Sequence, residues 1–212
     1  MDLPNKYFED FPIESKELNT DDFSKVFKVE KTIIELEDRE YLNSVIQKEL
    51  KIHRKNTVVI NTPVGNGKSY AIIQTIKRFY DSDEEYLIFV ASPFVSLVEQ
   101  YCQSIEEFAK IPQSQIYNYN KIGRSKDSYT DKKVQVITAN TLLGNPGEDG
   151  FKNSDIKREY LNHLTAYCER NNIKVVFIYD ELHDSFHNFK QEYIFNLWKW
   201  RNVVHKNFVL SA

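Results

Sequence analysis

Two short segments of this 212-residue chain carry residue types that can act on a polyphosphate. The first is Asn61-Thr62-Pro63-Val64-Gly65-Asn66-Gly67-Lys68-Ser69. Gly65 and Gly67 let the backbone turn tightly and aim successive N–H groups at phosphate oxygens. Lys68 would reach the β- and γ-phosphates, and the Ser69 hydroxyl would take a magnesium position. The ligand-binding stretch therefore comprises Thr62, Pro63, Val64, Gly65, Asn66, Gly67, Lys68, Ser69 and Tyr70. The generic pattern asks for glycine five residues before Gly67, where this chain has Thr62; the Gly-Lys-Ser core remains. The second segment, Val175-Val176-Phe177-Ile178-Tyr179-Asp180-Glu181-Leu182-His183, is an apolar run that ends in adjacent carboxylates. Asp180 would hold the metal, and Glu181 would orient and deprotonate a water. Together the segments imply hydrolysis of a nucleoside triphosphate.

Positioning these groups requires strands that end where the chemistry begins. Thr57 to Asn61 is β-branched and apolar and reads as a buried strand. The helix after Ser69 turns Ile72, Ile76 and Phe79 to one face, and its positive N-terminal end favours an anion. Lys174 to Tyr179 reads as a buried parallel strand, with its carboxylates at the C-terminal end, where open α/β sheets bind ligands. Leu42, Val45, Ile46 and Leu50 mark an earlier helix. Leu97, Tyr101, Ile105 and Phe108 mark another, and Ile156, Tyr160, Leu164 and Tyr167 a third. Gly144 to Gly150 is a loop. The alternation predicts an α/β fold, a parallel sheet with helices on both faces.

At these residues the chain resembles a known family. Asp180-Glu181-Leu182-His183 is similar to the DExH box of superfamily 2 helicases, and Thr62 to Ser69 to that family's motif I. Motif I often lacks glycine at the place of Thr62. Ser92-Pro93-Phe94-Val95-Ser96-Leu97-Val98-Glu99-Gln100 resembles motif Ia, with Phe94-Val95 in place of the usual Thr-Arg. Val136-Ile137-Thr138-Ala139-Asn140-Thr141-Leu142-Leu143 resembles motif Ib, and Val209-Leu210-Ser211-Ala212 the start of motif III. The resemblance covers residues 39 to 212. It implies a P-loop NTPase of RecA-like, three-layer architecture that takes ATP and Mg2+. It assigns catalysis to Lys68, Asp180, Glu181 and His183, and magnesium to Ser69 and Asp180. Ser211 and Ala212 would couple nucleotide state to motion. Pro93, Gln100, Thr138, Asn140 and Arg124 would meet a DNA or RNA backbone. The adenine-reading Gln of the family corresponds to Leu42 here, with Gln47 on the same helix.

The resemblance also implies a second RecA-like domain, in cis or from a partner chain, which would supply arginine fingers worth about three to five orders of magnitude in rate. The chain reaches motif III at Ala212, so it is expected to be the first motor domain of a longer protein, weak or inactive as an isolated piece. The expected activity is ATP-driven translocation on, or unwinding of, nucleic acid. A restriction or CRISPR-interference translocase is the nearest alternative. A nucleotide-gated binding module without unwinding activity is a reading from another class. A small kinase lacks motifs Ia, Ib and III.

Composition bounds these readings. No run approaches the roughly 20 apolar residues of a membrane helix, and Met1 to Lys6 lacks the charged-then-apolar order of a signal sequence. Cys102 and Cys168 form no disulfide framework or metal spacing. An intracellular location is the expectation. Residues 1–22 hold seven acids against Lys6 and Lys16, a balance of −5 within an overall −3, so the remainder is +2. Residues 1–38 read as an acidic extension bearing Phe8, Phe11, Phe23 and Phe27. Lys121, Arg124, Lys126, Lys132 and Lys133 form a basic stretch that fits either a phosphate contact or a solvated loop. His183 and His187 have a zinc-compatible spacing with no evident third ligand. His53, His163 and His205 read as surface or helix residues, and Trp198 and Trp200 as core or domain-interface packing.

Overall fold

In the computed structural model the chain divides into two units, Met1–Asp38 and Arg39–Ala212. The structure describes residues 41–49, 52–54, 56–63, 65–121, 129–144, 155–181, 193 and 196–211, all in the second unit. The elements in chain order are α1 (Leu42–Glu49), β1 (Asn56–Asn61), α2 (Lys68–Tyr80), β2 (Tyr86–Ser92), α3 (Val95–Ser104), β3 (Ile116–Asn118), β4 (Val134–Thr138), α4 (Ala139–Leu143), α5 (Asp155–Asn171), β5 (Lys174–Tyr179) and β6 (Val204–Ser211). The six strands form one sheet in the order β1-β6-β5-β2-β4-β3. Every pairing is parallel.

Alternation along the central strands builds two cores, one on each face of the sheet. Leu87, Phe89 and Ala91 of β2 join Val175, Phe177 and Tyr179 of β5 beneath α4 and α5. Tyr86, Ile88 and Val90 join Val176 and Ile178 beneath α2 and α3. The expected face of α2 is as read, with Ile72, Ile76 and Phe79 all buried. The α1 face also holds, with Leu42 and Ile46 buried against Ala71; Leu50 lies outside the described residues.

Two helical segments bury faces other than those expected. After Ser104 the chain makes a π-helical turn over Ile105–Ala109. The wider turn inserts a residue, so Ala109 takes the buried place expected of Phe108, which is 52% exposed. On α5 the buried face is Tyr160, Leu161, Leu164, Thr165 and Cys168, and Ile156 points outward. Trp200 is wholly buried against Phe89 and Phe177, whereas Trp198 is exposed under the Arg201 guanidinium. His205 is not a surface or helix residue: it is buried on β6 and shares a hydrogen bond of 2.6 Å with the Ile52 carbonyl.

One polar cluster lies inside the α5-side core. The Gln135 side chain, fully buried on β4, donates to the Tyr129 and Lys132 carbonyls and accepts from the Tyr160 hydroxyl at 2.7 Å. Gln135→Leu would strand these groups without water. We expect it to cost about 2 kcal/mol, a fall in Tm of roughly 4–8 °C in thermal unfolding.

Candidate active site

Register brings the two chemical segments to the same edge of the sheet. Asn61 at the end of β1 pairs with Ser211 at the end of β6. Tyr179 at the end of β5 pairs with Val209 of β6 on one side and Ala91 of β2 on the other. The last strand in sequence thus inserts between the first strand and the acid-bearing strand. All of these ends point the same way, because the sheet is parallel.

The loop after β1 wraps the N-terminus of α2. Gly67 caps that helix in a left-handed conformation, φ 79° and ψ 28°, and Gly65 has φ 95°. Both conformations suit glycine and let the intervening N–H groups face a common point. Asn66 Nδ2 donates to Thr62 Oγ1 at 3.0 Å, tying the start of the loop to its middle. Thr62 is buried, Pro63, Gly65 and Ser69 are exposed, and Tyr70 stands outward from the first turn of α2. Leu42 donates its N–H to the Asn66 carbonyl at 3.3 Å, so α1 begins against the loop. Gln47 is committed elsewhere. Its amide accepts from Arg78 and donates to Asn43, pinning α1 to α2.

Lys68 is 9% exposed, and its Nζ lies 3.0 Å from Glu181 Oε1. The ammonium makes no well-aligned hydrogen bond among the described residues, so it keeps donors for phosphate oxygens. Glu181 adopts φ 54°, a left-handed backbone that is costly for this residue type. Strain of this kind collects at functional sites.

Asp180 is buried, and its N–H donates to the Ala91 carbonyl. Its Oδ2 accepts a 2.6 Å hydrogen bond from the Tyr101 hydroxyl. Desolvation pushes the Asp180 carboxyl above its ordinary range, against the opposing pull of the Tyr101 hydrogen bond. The acidic end of β5 thus stands against the loop that carries Lys68 and Ser69. Hydroxyl and carboxylate oxygens are the donors that magnesium prefers. With the spare donors of Lys68 beside them, the described residues fit a phosphate chain and its metal. Tyr101 is the site residue that periodicity missed. It reads as one more apolar position of α3, and only a buried hydroxyl in want of a partner could have flagged it.

The motif Ia and Ib segments are neighbours at the same edge, where Ser92 pairs with Thr138. Pro93 is half-buried after β2, and Phe94 is exposed. Gln100 is exposed on α3. Thr138 is buried, and its hydroxyl caps α4 through the Thr141 N–H. Asn140 is half-buried in the first turn of α4. Two lysines of the basic stretch are engaged with the protein. Lys132 donates to the Ser114 carbonyl, and Lys133 lies over the Tyr80 ring. Val64, Arg124, Lys126, His183, His187 and Ala212 lie outside the described residues.

A parallel sheet with a Gly-x-Gly-Lys-Ser loop after β1 and adjacent carboxylates after β5 defines a P-loop NTPase of RecA-like architecture. Residues 27–210 match the ResIII family, "Type III restriction enzyme, res subunit", and the chain belongs to that family. A search of curated proteins finds no match. Solved structures with TM-scores of 0.50 and above share the fold. The UvsW helicase from bacteriophage T4 is 18% identical with a TM-score of 0.52, covering 98% of this chain and 68% of that one. A second T4 UvsW structure is 17% identical with a TM-score of 0.50, covering 98% and 39%. The Pyrococcus furiosus Hef helicase domain is 15% identical with a TM-score of 0.48, covering 82% of this chain. The chain spans 32% of that Hef structure.

Proposed function

We propose that this chain is the ATP-binding half of a nucleic-acid-dependent DExH-type motor, which hydrolyses ATP to move on or unwind DNA or RNA. The observation that carries the reading is the 3.0 Å approach of Lys68 to Glu181. It joins the phosphate loop to the acidic end of β5, although the two are far apart in sequence. In this reading the loop N–H groups and Lys68 grip the β- and γ-phosphates. Ser69 and Asp180 hold magnesium, which when bound neutralises the phosphate charge. Glu181 accepts the proton of the attacking water. His183, Ser211 and Ala212 pass the nucleotide state onward. Pro93, Gln100, Thr138, Asn140 and Arg124 lie along the strand path, with Thr138 shaping it as a helix cap rather than through a free hydroxyl. A second RecA-like domain completes the site, residues 1–38 are an acidic extension, and the protein works inside the cell.

Membership of the restriction-enzyme family favours the restriction translocase over the CRISPR-interference alternative. Among the described residues no helix is long and apolar enough to cross a membrane.

The test is ATP hydrolysis by the full-length protein with and without single-stranded DNA, duplex DNA and RNA. Stimulation by one of them identifies the track. ATP binding with no stimulation by any nucleic acid would replace the motor with a nucleotide-gated binding module.

A further inference from the structure

Helix α3 has two sides with different tasks. Its outer side carries Ser96, Glu99 and Gln100. Its inner side carries Val98, Tyr101 and Cys102, all buried in the core under α2. Tyr101 differs from the other two in ending in a hydroxyl, which packing alone does not require. That hydroxyl donates to Asp180 Oδ2 at 2.6 Å. Its partner Asp180 is one of the two residues that the proposed function gives to magnesium.

We infer that Tyr101 is a positioning residue of the metal site, its phenol fixing one Asp180 oxygen so that the other is presented to the metal's water shell. The inference rests on the reading of Ser69 and Asp180 as the magnesium-holding pair. A carboxylate with no fixed hydrogen-bond partner has several side-chain conformers. A short hydrogen bond from a phenol locked in a core removes most of them before the metal arrives. The ring is held by its neighbours on α3 and by the strands below, so the lock costs the site little entropy when it loads.

The experiment uses the full-length protein and a fluorescent ADP analogue, titrated with Mg2+ and, separately, in excess EDTA. Tyr101→Phe keeps the ring and removes the hydroxyl; Tyr101→Leu removes both. The expected result is that Tyr101→Phe raises the Mg2+ concentration for half-maximal nucleotide binding about tenfold, the lower end for a hydrogen bond to a charged group. Nucleotide affinity in EDTA and the thermal midpoint should stay near the parent's. If Tyr101→Phe matches the parent while only Tyr101→Leu is impaired, Tyr101 is a packing residue and the inference is overturned. Equal losses with and without Mg2+ would also overturn it, since they would mean a general disturbance of the pocket. A parent protein that binds nucleotide with no Mg2+ dependence would remove the magnesium pair itself, and the inference with it.

Discussion

Glu181→Gln is expected to lower ATP turnover by about two to four orders of magnitude, the usual worth of a general base, and to leave nucleotide binding intact. The substitution keeps shape and one acceptor oxygen, so the contact with Lys68 at 3.0 Å survives in weaker form. What it removes is the ability to take a proton. Backbone strain supports this assignment. A glutamate held at φ 54° directly after a buried aspartate is costly. That conformation carries the side chain across to the phosphate loop. Single-turnover hydrolysis and equilibrium ATP binding, measured on the same preparation, separate the two effects. Hydrolysis within about twofold of the parent would remove Glu181 from the chemistry.

Lys68→Ala is expected to weaken ATP binding about 10- to 100-fold, which is the loss of a charge-assisted hydrogen bond to phosphate. Turnover should fall to background as well. The residue is buried to 9% exposure yet retains free donor capacity, an arrangement that is expensive unless a ligand uses it. Removing the ammonium also leaves Glu181 facing the site without its counter-charge. Lys68→Arg should not rescue binding, because the planar guanidinium is broader than the ammonium the loop encloses. Lys77→Ala is the matched control. Lys77 lies on the same helix, in an exposed pair with Asp81 at 2.8 Å, and its loss should leave ATP affinity unchanged and stability within about 0.5 kcal/mol. Isothermal titration of the three variants against the parent decides the matter. Equal affinities for Lys68→Ala and Lys77→Ala would show that the loop does not bind phosphate through Lys68.

Most of the architecture was legible from spacing. β5 runs from Lys174 to Tyr179, as its apolar run predicts. Buried parallel strands are apolar on both faces, so they stand out from any background. Helices with steady periodicity were equally clear, as Ile72, Ile76 and Phe79 show. Errors came where local geometry broke the period. The π-helical turn after Ser104 moved Phe108 outward, and no single residue announces such a turn. The short strand β3 escaped notice because three residues carry too little alternation to read.

Local sequence determined the strand ends, the left-handed glycines of the loop and the adjacency of Asp180 and Glu181, since each depends on neighbours within a few residues. Strand order lay beyond it. That β6, the last strand, inserts between β1 and β5 and so brings Ser211 beside Asn61 is decided by which surfaces bury best together. The same holds for Tyr101, whose partner Asp180 lies far from it in the chain. Hydrogen bonds between distant residues exist only once the core has closed around them. Tertiary packing alone could therefore turn an apolar helix position into the hydrogen-bond partner of a buried carboxylate.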